Sequence, residues 1–72
     1  MKITSHESGN GHRAYELEGR NIQIMDVIDF LLREDLPEVM SLCWDGRIYV
    51  FRSRGERLQF AFGLQHAFET LH

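Results

Sequence analysis

The sequence predicts an α+β fold of order ββαβββα. A small antiparallel sheet ends in a three-stranded C-terminal meander, and two helices cover one face. Three observations predict it. The turn dipeptides Asp45-Gly46 and Arg54-Gly55 give strand registers that agree with each other. Apolar residues recur at helical spacing between residues 22 and 34. Gly9-Asn10-Gly11 is a turn signal inside a weakly alternating N-terminal segment.

Residues 1–20 read as a β-hairpin. In the run from His12 to Glu18, Tyr15 and Leu17 point one way and Ala14, Glu16 and Glu18 the other, which is a strand with one wet face. The first strand, Lys2 to His6, has Ile3 as its anchor. Residues 22–34 read as a helix. Ile24, Met25, Ile28, Leu31 and Leu32 form its apolar stripe, Val27 and Phe30 flank it, and Asp26, Asp29 and Arg33 form the polar side. Asn21 is the N-cap candidate. Pro37 ends the helix, because a proline disfavours helical backbone in the residue before it.

Residues 39–62 carry the pairing argument. A two-residue turn at Asp45-Gly46 pairs Trp44 with Arg47, Cys43 with Ile48, Leu42 with Tyr49 and Met40 with Phe51. A second turn at Arg54-Gly55 pairs Phe51 with Leu58 and Tyr49 with Phe60. Together they place Met40, Leu42, Trp44, Tyr49, Phe51, Leu58, Phe60 and Phe62 on one face. The opposite face then shows Cys43, Ile48, Val50 and Ala61, rimmed by Ser41, Arg52, Arg57 and Gln59. Gly63 joins this strand to a short last helix, Leu64 to His72, with Leu64, Phe68 and Leu71 on one side. The order is similar to that of sheet-reading DNA-binding domains and of the double-stranded RNA-binding fold. Where the latter begins its last helix with basic residues, Leu64-Gln65-His66-Ala67 stands here, and element order alone assigns no family.

The chain has 72 residues, 43% of them hydrophobic and 26% charged, so a single folded domain over 1–72 is expected rather than a disordered tail. A lone cysteine, Cys43, excludes an internal disulfide within this sequence, and the polar start Met1-Lys2-Ile3-Thr4-Ser5 leads us to expect no signal peptide. A cytoplasmic protein with no membrane role is expected. A core of this size supplies only about 3–5 kcal/mol, so partner binding or self-association is a reasonable source of the rest.

No cofactor, metal site or catalytic residue is expected. His6, His12, His66 and His72, with Glu7 and Cys43, show no ligand spacing. Cys43 sits in a strand, away from the helix N-terminus or loop where an activated thiol belongs. Glu34, Asp35 and Glu38 cluster at a helix end and read as a solvated or partner-facing acidic patch. An enzyme is therefore the least expected class.

The arginines are more informative. Seven of the eight basic residues are Arg, the type favoured at interfaces for its planar fork. The net charge of −3 divides into −5 over residues 1–45 and +2 over residues 46–72. Arg52, Arg54 and Arg57 surround the second predicted turn, and Arg47 follows the first. The sequence thus points to a small acidic, non-enzymatic protein-binding module. Its expected partner-binding residues are Arg47, Arg52, Arg54, Arg57, Ile48, Val50, Gln59, Asp26, Asp29, Glu34 and Asp35. The size class suggests a phage or mobile-element antagonist of a host complex, such as an anti-CRISPR inhibitor. The alternatives are nucleic-acid binding through Arg47, Arg52, Arg54 and Arg57, or a self-associating accessory subunit using the apolar outer sheet face.

Overall fold

The computed structural model describes residues 1–71, so His72 lies outside the described residues. The element order is β1 (Lys2–Glu7), β2 (Arg13–Glu18), α1 (Ile24–Leu31), β3 (Met40–Trp44), β4 (Arg47–Phe51) and α2 (Arg54–Leu71). This is a small α+β fold of order ββαββα. The strands lie in one sheet in the order β1-β2-β3-β4.

The N-terminal hairpin forms as expected, with Ile3 opposite Leu17 and Ser5 opposite Tyr15. Gly9, Asn10 and Gly11 all take positive φ, and Ser8 donates its N–H to the His12 carbonyl at 2.9 Å. The Asp45-Gly46 hairpin forms in the expected register, from Trp44 opposite Arg47 to Met40 opposite Phe51. Asp45 and Gly46 both have positive φ, 54° and 74°, which is the backbone a type I′ turn requires.

Three expectations need correction. The sheet is mixed, not fully antiparallel: β2 and β3 run parallel, with Tyr15 opposite Leu42. The cause is α1, which carries the chain back along the sheet so that β3 starts at the same end as β2. The third meander strand does not exist, because residues from Arg54 onward are helical and Gly63 lies inside α2 rather than before it. Finally, Asn21 is not the cap of α1. It takes a left-handed φ of 58° in the preceding loop, and Gln23 is the N-cap, its N–H held by the Asp26 carboxylate at 3.1 Å.

The start of α2 has a local cause. Ser53-Arg54-Gly55-Glu56 is a capping sequence. The Glu56 N–H donates to Ser53 Oγ at 3.1 Å, and the Glu56 carboxylate accepts the Arg52 N–H at 2.9 Å. These bonds satisfy amides that a tight turn would have used differently. Once the helix starts, the burial period is helical: Arg57 and Ala61 are buried, with Phe60 and Leu64 half-buried on the same side. The alternation of Leu58, Phe60 and Phe62 therefore does not make a sheet face, and Phe62 is 55% exposed.

The core is Leu17, Val27, Phe30, Leu31, Met40, Leu42, Phe51 and Ala61, so both helices pack on the sheet face that carries Met40, Leu42 and Phe51. In α1 the buried residues are Val27, Ile28, Phe30 and Leu31, while Met25 is exposed. The buried stripe is thus rotated toward the residues that the sequence pattern placed at its flanks. Tyr15 meets Phe30 edge-on at 5.4 Å, and Tyr49 and Phe51 each meet Phe60 of α2, at 4.9 and 5.5 Å.

Candidate interaction surface

Strand β4 ends the sheet, and its outer edge is unpaired. The register places Thr4, Ala14, Ser41, Cys43, Ile48 and Val50 on the face opposite the helices. The N-terminal hairpin extends this face in the plane of the sheet instead of folding over it. Toward β1 the face becomes polar, with Glu16 beside Cys43 and His6 beside Ala14. Toward β4 it is aliphatic, and Ile48 and Val50 are 71% and 57% exposed. Ala61, expected on this face, is instead buried in the core because it belongs to α2.

Beside β4, on the helix side, runs an open groove of about 500 Å³. Val50 and Phe51 form its strand wall, and Glu56, Gln59, Phe60, Gly63 and Leu64 of α2 form the other. Gln59 is therefore brought close to β4, as a groove residue rather than a sheet-face residue. Glu56, Phe60, Gly63 and Leu64 are the α2 members that sequence reasoning missed, and Phe51 was expected only on the core face. The Ser53-x-x-Glu56 pattern was the signal that could have revealed them.

The arginines separate into three environments. Arg57 was expected beside an exposed turn, yet it is 1% exposed. Its guanidinium Nη1 donates to the carbonyls of Leu31 and Arg33, the latter at 3.0 Å, and so closes the C-terminal end of α1. A cation there meets carbonyls that the helix leaves unpaired and the negative end of its dipole. Arg57 Nε has no partner among the described residues. Arg54 is exposed but engaged: its Nη2 lies 3.2 Å from both Glu34 oxygens, and its N–H donates to Glu38 at 3.0 Å. Arg47 and Arg52 are the third kind. They are exposed near the two ends of β4 and make no ion pair among the described residues.

The acidic residues are likewise partly used within the fold. Asp26 holds the start of α1. Glu34 pairs with Arg54. Asp35 accepts two bonds from Arg33, at 3.0 and 2.7 Å. That hydrogen-bonded guanidinium holds the Asp35 carboxyl below its ordinary range, and the carboxylate in turn raises Arg33. Asp29 is exposed on α1, beside a small crevice of about 220 Å³ that also takes in Met1, Ile3 and Phe30. It does not join the β4 surface.

Among the described residues, no group of three or more His, Cys, Asp or Glu side chains is placed to hold a metal ion. Cys43 is a free, half-buried thiol on the outer face, and His12 Nε2 is buried without a partner among the described residues. No helix among the described residues is long and apolar enough to cross a membrane. No family model, curated protein or solved structure matches the chain.

Proposed function

We propose that this chain is a non-enzymatic module that binds another protein through the β4 side of its sheet. The observation that carries the reading is an unpaired edge strand with two exposed aliphatic residues, Ile48 and Val50, between Arg47 and Arg52. Edge strands in monomers are usually shortened, charged or covered, and this one instead offers an apolar centre with cationic ends. The expected mode is steric contact in the cytoplasm. Its biological use as a phage or mobile-element antagonist of a host complex, of the anti-CRISPR type, rests on size class and charge asymmetry.

The test is capture from lysate with a tagged chain, compared with a variant carrying Ile48→Lys, Val50→Lys, Arg47→Glu and Arg52→Glu. The variant should fold, because all four side chains are exposed, and it should lose the captured protein. Undiminished recovery would remove β4 from the reading.

Nucleic-acid binding is the weaker reading. Of its four arginines, Arg57 is buried and Arg54 is paired with Glu34, which leaves Arg47 and Arg52. Two phosphate contacts give a log–log salt slope of only about −2 for duplex DNA. A mobility-shift titration at low salt is expected to be flat.

A further inference from the structure

We propose that β4 pairs with β4 of a second copy, antiparallel and centred on Tyr49, merging two four-stranded sheets into one. This rests on the reading of β4 as the binding side, and it names the occupant of the edge.

The backbone comes first. A two-residue turn is closed by a hydrogen-bonded pair, here Trp44 and Arg47, and such pairs alternate along an antiparallel ladder. Arg47, Tyr49 and Phe51 therefore bond toward β3. Ile48 and Val50 direct their N–H and C=O groups to the open edge. In an antiparallel pair centred on Tyr49, Ile48 of each copy faces Val50 of the other. These are the outward-bonding residues, so every exposed ladder group between 48 and 50 finds a partner.

The side chains fit the same register. On the outer face, Ile48 of one copy lies beside Val50 of the other, twice over, and the two exposed aliphatic residues of the strand pack flank to flank. On the helix side, Arg47 of one copy comes opposite Phe51 of the other, where Glu56 lines the groove. Arg47 has no acidic partner within its own chain among the described residues. At the strand ends, Arg52 of one copy comes opposite the Asp45-Gly46 turn of the other, and Asp45 is exposed and also without an ion pair among the described residues. A single two-fold axis thus matches strand to strand, aliphatic to aliphatic and cation to carboxylate. An unrelated extended peptide would satisfy the backbone but has no reason to bring both charges. The paired sheets also double the aliphatic centre of the outer face that a protein partner would meet.

The test begins with sedimentation equilibrium of the full chain, which should show a dimer. Val50→Pro removes an outward N–H that β3 does not use, so the hairpin is retained and dimerisation should weaken by about a hundredfold or more. A second measurement does not depend on that variant folding. With Cys43→Ser in both chains, Ile48→Cys and Val50→Cys copies are oxidised separately and mixed. Directly opposed residues sit about 5.5 Å apart at Cα, inside the range a disulfide can bridge. The mixture should cross-link and each variant alone should not. A dimer without this pattern overturns the register. A monomer at all concentrations overturns the dimer. If that monomer still captures a protein, the binding reading survives. If Val50→Pro then abolishes capture, the edge belongs to a partner's strand instead.

Discussion

The guanidinium of Arg57 reaches from α2 to the C-terminal end of α1, donating to the carbonyls of Leu31, its last residue, and of Arg33 just beyond it. It therefore joins the helices by hydrogen bonds as well as by packing. Removing it leaves the Leu31 and Arg33 carbonyls without this donor, the first of them in a buried bond. Arg57→Met keeps much of the volume and loses the donors, and should cost about 2–3 kcal/mol. Arg57→Lys keeps the charge but not the fork, and should cost less. Urea unfolding decides it: the midpoint should fall in that order with an unchanged slope. A Met variant as stable as the parent would show that the bonds carry nothing. A second residue-scale expectation concerns pH. The Arg33 guanidinium lowers the Asp35 carboxyl, so the pair's contribution is complete above the unfolded value and disappears as pH falls through the lower folded value. Arg33→Gln should return the Asp35 midpoint, followed by NMR, to the ordinary carboxylate range. An unmoved midpoint would show that Arg33 is not the cause.

The start of α2 decides the fold between two patterns that the same residues satisfy. Leu58, Phe60 and Phe62 alternate as a strand would, while Arg57, Phe60, Ala61 and Leu64 recur as a helix would. Ser53 and Glu56 settle it: Ser53 Oγ holds the Glu56 amide in the first turn of the helix, and the Glu56 carboxylate ties back to the Arg52 amide just before it. Ser53→Ala should cost about 1 kcal/mol, measured by urea unfolding, and a loss near zero would remove the cap from this account. The same contrast explains what was legible in the sequence. Both hairpins were, the second to the residue, because a type I′ turn leaves only one register for its flanks. The place of Ile48 and Val50 on the outer face followed from that register. Arg57 was not legible as a buried group, since its partners are main-chain carbonyls 24 and 26 positions away that no side-chain pattern marks. Nor was the parallel β2–β3 pairing, which depends on the path of α1 and not on either strand's alternation. The groove was lost with the helix that forms one of its walls.

At the scale of the whole molecule the two helices are unequal. The 8 residues of α1 span about 12 Å, and the 18 of α2 about 27 Å, against about 17 Å for the 5-residue strand β4. A helix of that length outreaches both the strand and the helix that support it, and the molecule is accordingly elongated, 39 Å in its longest dimension. Burial follows: Arg57 and Ala61 in the near half are closed to water, whereas Leu71 is 78% exposed. The buried residues of α1 and β3 are fixed from several sides, and opening them requires unfolding the core. Opening the last turns of α2 does not. Native-state hydrogen exchange should therefore be graded along one helix. Amides around Ala61 should exchange near the rate set by global unfolding, together with those of β3 and the buried part of α1. Amides of Glu69 to Leu71 should exchange about a hundredfold faster or more, through local fraying. Uniform protection along α2 would contradict this and would mean that its far half is held as firmly as the core. Because the gradient arises within each chain, it should persist in Val50→Pro, and this separates helix fraying from any protection that pairing adds at β4.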